Sequence, residues 1–444
     1  MQYIVGLLFL CLLITLHEFG HFIAARLAGV YVEEFSIGMG PCIYSKVSKK
    51  SGTQYSLRLV PIGGYCAMKG ETVTLDEEGK QVMEEADSFP NVSVWKRMGI
   101  VLAGPIMNIF IGVLIAMTIV MCFGISKPYI TSIEDSVRHF GLQEGDRLVA
   151  INDTPMHVAD DVYFYDMYHA DDTIDEKRLV KVTVERDGQQ MDIEYPLLYQ
   201  KKYGFGMSTG TDKDGNLMVL QILKENALAK AGIEEGDKIV SINGIKGTSD
   251  YSLHEYLADH PLTDGTADVV YERDGKAKEA TVQLIPLEST SRGFAYNTKA
   301  QTSNHVLQDS MAMIQSQIST TFQSLGGLVT GRFSLSDLSG PVAIVDVIGD
   351  TYESAVTNTD TITKQANVQS LMGLLLTVTL SLGVFNLLPI PGLDGGTFVF
   401  LVIEAIRRKR IPVEIEQKIR QVSLCILLGL SVFIIIKDFY QILF

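Results

Sequence analysis

Cysteine is scarce in this chain. Among 444 residues there are five: Cys11, Cys42, Cys66, Cys122 and Cys425. None forms a C-x-x-C pair, three lie in apolar stretches, and the long polar middle of the chain has none. Nothing therefore points to a disulfide framework or to a cysteine-based zinc site. Positive charge is also in short supply. Thirty-seven Lys and Arg face 52 Asp and Glu, giving a formal net charge of −15, which argues against nucleic acid as a partner. The opening Met1-Gln2-Tyr3 lacks a basic region, and no small-residue cleavage site follows the apolar run cleanly. The first segment is expected to be a retained membrane span and not a cleaved signal peptide.

Apolar residues are plentiful. They make up 47% of the chain, beside 20% charged residues, and the mean hydropathy is +0.19. The length predicts two or more domains. The mixture fits membrane spans joined to a soluble, acidic part. Basic clusters at Lys49-Lys50, Lys96-Arg97 and Arg407-Arg408-Lys409-Arg410 suit the cytoplasmic side of such spans.

The first span carries polar residues that a bilayer would penalise. Leu16-His17-Glu18-Phe19-Gly20-His21 has the spacing H-E-x-x-H, inside an apolar stretch that starts at Tyr3 and reaches Ala28. Four residues is just over one helical turn, so His17 and His21 share a helix face and can bind one zinc ion. Glu18, beside the first ligand, can take a proton from a water at that ion. By chance the motif would be a pair of surface histidines on a soluble helix. Within a span, however, uncompensated His and Glu need partners, which makes them functional candidates.

A second span holds Gly104-Pro105-Ile106-Met107-Asn108. Its plain reading is a proline kink with a small-residue packing face, but the Asn108 amide at membrane depth needs a partner and is expected to face the site. Near the end of the third span lies Asn386-Leu387-Leu388-Pro389-Ile390-Pro391-Gly392-Leu393-Asp394-Gly395-Gly396. Broken backbone at membrane depth is tolerated where it lines a cavity or is buried in protein. A catalytic zinc usually has three protein ligands and one water, and Asp394 is the best-placed third; the alternative is an Asp-Gly turn at the membrane edge. Upstream, Tyr55 to Val60 alternates loosely and runs into Pro61-Ile62-Gly63-Gly64-Tyr65, which reads as a short β hairpin close to the membrane. From Glu71 to Asp87 the chain is acidic and reads as a surface loop.

The soluble middle repeats itself. Gly141-Leu142-Gln143-Glu144-Gly145-Asp146-Arg147-Leu148-Val149-Ala150-Ile151-Asn152 recurs as Gly232-Ile233-Glu234-Glu235-Gly236-Asp237-Lys238-Ile239-Val240-Ser241-Ile242-Asn243. Downstream, Glu185-Arg186-Asp187-Gly188 recurs as Glu272-Arg273-Asp274-Gly275. Two copies of one small β-rich domain account for this, and the pattern resembles PDZ domains, which bind extended segments at a sheet edge. Tyr203-Gly204-Phe205-Gly206 is a candidate peptide-binding loop of the second copy. The first copy differs by an acidic insert, Asp160 to Asp175.

Taken together and in this order, these motifs resemble the bacterial site-2 protease family, in particular its members with tandem PDZ domains. The resemblance implies an intramembrane zinc metalloprotease performing regulated intramembrane proteolysis. Its substrates would be single-pass membrane proteins, such as an anti-sigma factor already trimmed by another protease. It implies Zn2+ on His17, His21 and Asp394, with Glu18 as the general base. Asn386, Asn108 and the hairpin residues Gly63, Gly64 and Tyr65 become substrate-binding candidates. It also implies peptide ligands for the PDZ domains and the bacterial cytoplasmic (inner) membrane as location, with the PDZ pair extracytoplasmic.

The expected fold is polytopic and α-helical, with four spans, a membrane-associated β hairpin and two PDZ-like β-rich domains. Span one with the zinc motif covers 1–29, a cytoplasmic-side loop with the hairpin 30–95, and span two 96–125. The PDZ-like domains cover 126–201 and 202–288, and an amphipathic helical linker 289–368. Span three covers 369–398, a basic loop 399–420 and span four 421–444. The alternative of another class is a membrane-tethered PDZ peptide-binding protein with an inactive or structural zinc site. Against it stands Glu18, since a structural site needs no base and is closed by four protein ligands. A transporter is disfavoured because no hydrophobic inverted repeat is present.

Overall fold

The computed structural model describes residues 2–71, 86–169, 178–205, 207–211, 217–222, 227–246, 265–273, 275–298, 300–334, 338, 340–357 and 361–443. Most of the acidic stretch after Glu71, the end of the acidic insert, and Gly206 lie outside them. The chain forms two units: residues 1–128, 155–171 and 297–444 make one, and 129–154 with 172–296 make the other.

The first unit contains helices α1 (Gln2–Ala28), α2 (Val94–Phe123), α3 (Ala159–Tyr168), α4 (Val306–Thr330), α5 (Pro341–Thr357), α6 (Thr361–Leu387), α7 (Asp394–Arg407) and α8 (Val413–Leu443). Four are long and apolar enough to cross a membrane: α1, α2, α6 over Lys364–Leu387, and α8 over Glu414–Asp438. Helix α2 starts at Ser93, whose side chain accepts from the Lys96 amide, and stops at Gly124, where φ is 81°. It runs unbroken through Pro105.

Small residues let these helices touch. A β-carbon on Gly20 of α1 would meet the Ala103 carbonyl of α2 at 2.3 Å. One on Gly112 of α2 would meet Leu380 of α6 at 2.5 Å. Ala116, Ile119, Ile314, Leu376 and Leu380 close a core between α2, α4 and α6. The region expected as a single amphipathic linker instead begins with strands and continues as the separate helices α4 and α5. The first part of the acidic insert is helix α3. Asp161 caps it by accepting from the His157 and Val158 amides, and also accepts from Ser316 Oγ of α4 at 2.5 Å.

Two long strands, β1 (Val32–Val47) and β2 (Gln54–Met68), follow α1. The sequence reading made Tyr55 to Tyr65 a short hairpin, and the chain does reverse direction within β2, between Leu57 and Gly64. Residues 54–57 run alongside 34–37 in the same direction and residues 64–68 in the opposite one, so the two halves of β2 lie on either side of the first half of β1 and do not pair with each other. Ile37 pairs with both Leu57 and Gly64, and Val47 pairs with Gln54. The two strands therefore curl into a sheet of four segments. The segment from Gly63 to Met68 lies along α1, with Cys11 Sγ donating to the Gly63 carbonyl. Ala25, Val32, Phe35, Cys66, Met68 and Ile100 bury together where sheet, α1 and α2 meet.

The second unit is β-rich, with strands β3 (Ile130–Ile133), β4 (Arg147–Ile151), β5 (Leu179–Arg186), β6 (Gln189–Pro196), β7 (Leu198–Gly204), β8 (Met207–Thr211), β9 (Leu217–Ile222), β10 (Lys238–Ile242), β11 (Thr266–Arg273), β12 (Lys276–Gln283), β13 (Ile285–Ser291) and β14 (Phe294–Tyr296). The repeat in sequence is a repeat in hydrogen bonds. Arg186 Nε and Nη2 each donate to Asp146 at 2.7 Å, and Nη2 also reaches the Gly141 carbonyl at 2.8 Å. Arg273 makes the same three bonds to Asp237 and Gly232 at the same distances. Asn152 and Asn243, with φ of 46° and 51°, accept from the Lys181 and Asp268 amides.

The copies are not simply consecutive. Strands β8 to β12 form one sheet, while β13 pairs with β7 and β14 pairs with β3. The second copy is thus inserted between two strands that pair with each other.

Candidate metal centre

His17 and His21 lie on one face of α1, both buried, as the four-residue spacing dictates. The third contributor comes from far along the chain. Pro389 and Pro391 end α6, Gly392 takes φ of 102°, and α7 begins at Asp394. The third span's helix therefore stops at Leu387, and Asp394 opens a separate helix. Gly395 and Gly396 allow α7 to start against the carbonyls of Leu387, Leu388 and Ile390, where a β-carbon would meet those oxygens at 2.2–2.3 Å.

This brings three ligand atoms together. His17 Nε2 is 3.1 Å from Asp394 Oδ2, His21 Nε2 is 3.4 Å from it, and the two imidazole nitrogens are 3.2 Å apart. Donors about 2.0–2.1 Å from a tetrahedral zinc stand about 3.3 Å from each other, so the triangle has the size that the ion requires. Asp394 Oδ2 is buried and has no hydrogen-bond partner among the described residues, although two ring nitrogens face it. Three converging donors of this kind fit a cation. Among the described residues, this is the group of His, Cys, Asp and Glu atoms close enough to hold a metal.

One face of α2 supports the ligands. His21 Nδ1–H donates to the Ile100 carbonyl at 2.9 Å, which leaves Nε2 with its lone pair toward Asp394. Gly104 lies beneath both rings. Asn108, fully buried, places Nδ2 3.2 Å from His17 Nδ1, while its Oδ1 is buried without a partner. Turning the carboxamide over exchanges the two atoms. Oδ1 then accepts from Nδ1–H, and His17 Nε2 is free to ligate. Asn108 was a substrate-binding candidate; its placement is behind a ligand ring.

Glu18 lines a cavity of about 520 Å³ together with His21, Cys66 and Asp394. Gly63 and Gly64 are buried along α1 and Tyr65 half-buried beside them, where a β-carbon on Gly64 would lie 2.5 Å from the Ser36 carbonyl. Asn386 sits half-buried in the last turn of α6. Sequence reasoning missed the Ile100 carbonyl, which as a main-chain group leaves no residue signature. It also read Arg97 as a cation at the membrane edge. Arg97 turns inward instead, donating to both oxygens of Glu404 on α7 at 3.0 and 2.6 Å.

Comparisons with known proteins give the family. The family model described as Peptidase family M50 matches residues 5–430. A Treponema pallidum protein named as a zinc metalloprotease is 30% identical, with 92% of each chain aligned. The regulator of sigma-E protease of Escherichia coli is 29% identical over 95% of each chain, and that of Salmonella typhimurium is 28% identical over the same share. With four helices able to cross a membrane, and two histidines on the first of them grouped with Asp394 of α7, the chain belongs to peptidase family M50 and is a zinc metalloprotease.

Proposed function

We propose that this protein cleaves peptide bonds of single-pass membrane proteins within the bilayer, in the manner of a site-2 protease, with Glu18 as the general base. The observation that carries the reading is that Glu18 and His21, on a helix long enough to span a membrane, share one cavity with Asp394. His17, His21 and Asp394 would hold the zinc, which when bound acidifies a water and polarises the scissile carbonyl.

The remaining steps belong to the chain. Glu18 sits one residue from a ligand, where its carboxylate can take the water's proton and return it to the leaving amine. Substrate must reach the site with its backbone unpaired, because a helical peptide bond is shielded by its own turn. The Gly63–Met68 segment of β2 lies along α1 beside the motif, where it can pair with an extended segment by strand addition. Gly64 and Tyr65 would contact that segment. Asn386, in the last turn of α6, would contact substrate or the developing oxyanion.

Names among the relatives point to control of a sigma factor, so a trimmed anti-sigma factor is the substrate class proposed. The β-rich copies are proposed to be extracytoplasmic PDZ domains that admit substrates with small outer parts, in a protein of the bacterial inner membrane. Deleting 128–287 should then admit bulky, untrimmed substrates, and unchanged selectivity would remove this role.

The central test is cleavage of a tagged single-pass substrate by purified full-length protein, wild type beside Glu18→Gln, with zinc measured on both. Cleavage by wild type alone at equal zinc content is expected. Cleavage by the Glu18→Gln protein at a comparable rate would overturn the assignment of the base.

A further inference from the structure

The first two ligands sit on α1, but the third begins a different helix after a broken segment. Leu393, which precedes α7, makes no side-chain cap. The stretch from Leu388 to Leu393 holds two prolines and a glycine, so α6 does not continue as a rod into α7. What holds α7 must therefore set where Asp394 stands.

Near the other end of α7, Glu404 meets Arg97 of α2. Arg97 is 7% exposed, and its guanidinium grips both carboxylate oxygens. Between the pair and the ligand, Leu401 packs on Met98 and Val101 of α2. Arg97, Ile100, Gly104 and Asn108 are spaced by three, four and four residues, so they form one stripe along α2. Ile100 and Asn108 hold the two histidines, and Arg97 holds the helix that carries the aspartate. The pair also lines the cavity of the site.

A buried ion pair adds little to stability compared with apolar residues of the same shape, because desolvation offsets its attraction. Its geometry is another matter. Two parallel hydrogen bonds fix both the slide and the rotation of α7 against α2. Asp394 and Glu404 are ten residues apart, about 15 Å along the axis. Side-chain tips lie about 5–6 Å from that axis, so a rotation of 10° would move the Asp394 oxygen by about 1 Å. Metal–ligand distances tolerate about 0.2 Å.

We propose that the Arg97–Glu404 ion pair is a positioning device that registers α7 on α2 and thereby sets Asp394 against His17 and His21. This rests on the reading of those three residues as the zinc ligands.

The test uses the purified full chain in detergent, stripped of metal, with Zn2+ alone titrated against a competing chelator and Co2+ bound as a spectroscopic reporter. Wild type is compared with Glu404→Gln, Arg97→Gln, the exchanged pair Arg97→Glu with Glu404→Arg, and Asp394→Ala. Each single change is expected to weaken zinc binding at least about tenfold. Each should also reduce the visible absorption of the cobalt form at temperatures where the metal-free chain stays folded, although the charge left unpaired lowers its unfolding temperature. The exchanged pair should recover most of the affinity. If the exchanged chain does not fold, Arg97→Lys serves in its place, with a smaller loss than Arg97→Gln. Zinc affinity and cobalt spectrum unchanged in both singles, with Asp394→Ala losing zinc, would overturn the device and leave the ligand set standing. Unchanged affinity in Asp394→Ala would overturn the ligand set itself. Losses in the singles that neither exchange nor Lys relieves would also overturn the device.

Discussion

A β-carbon placed on Gly104 would lie 2.2 Å from Nε2 of His21, the atom that faces Asp394, and 2.8 Å from the His17 ring. Neither ring can retreat. One is tied to Ile100 and the other touches Asn108, and both are buried. Gly104→Ala should therefore displace the rings and lower zinc affinity by an order of magnitude or more, although alanine favours a helix over glycine. Zinc titration of the purified variant checks this. A variant that binds zinc like wild type would show that the α1–α2 contact is looser than described.

Asn108 supplies the second prediction. If its oxygen accepts from His17 Nδ1–H, a residue of similar size without an acceptor should cost metal affinity, and a carboxylate should not. Asn108→Leu is expected to weaken zinc binding about 10–100-fold. Asn108→Asp should hold zinc at least as well as wild type, because an anionic acceptor raises the basicity of the ligand. Equal affinity in the Leu variant would mean that Asn108 does not orient His17.

These contacts also mark what the sequence made visible. His17, Glu18 and His21 stand out because a four-residue spacing on a helix is a physical constraint expressed locally. Asp394 could be reached by counting ligands, since the polar residue in the broken apolar segment had few competitors. The second face of the site was harder. Ile100 acts through its backbone carbonyl, and that is invisible in any residue pattern. Arg97 was read as an edge cation because a charge next to an apolar run ordinarily faces water, and its partner Glu404 lies far away in sequence. Strand β1 escaped notice because Gly38, Gly40 and Pro41 break its alternation. The nesting of the second β-rich copy inside the first was hidden for a different reason. Repeats reveal similarity between segments, but not which strands pair.

Gly395 and Gly396 bear on the position of Asp394 from the other side. A side chain at either position meets backbone oxygens of residues 387–390 at 2.2–2.3 Å, and these cannot swing away as a side-chain tip would. Gly396→Ala should push the start of α7 from the loop before it. Zinc affinity should fall at least about tenfold, with α-helix content by circular dichroism unchanged. Retained affinity would show that the loop yields to α7 and does not locate it.

The last prediction concerns pH and the repeated ion pair of the β-rich unit. Burial alone would raise the Asp237 carboxyl, but the Arg273 guanidinium and the Glu234 amide outweigh it and hold the group below the ordinary carboxylate range. A carboxyl depressed in the folded state stabilises that state fully above its unfolded value, about 3.9. The contribution is lost as pH falls through the lower, folded value. Asp237→Asn removes the charge at every pH. It should cost about 1–3 kcal/mol at neutral pH, since Arg273 is left half-satisfied. The difference from wild type should shrink below about pH 4 as the wild-type carboxyl takes up a proton. Hydrogen exchange of the Thr266–Arg273 amides, corrected for intrinsic rates, reads this strand locally, so opening elsewhere in the chain does not obscure it. A gap between the two proteins that stays constant from neutral to acidic pH would mean that the Asp237 oxygen matters as a neutral hydrogen-bond acceptor and its charge does not.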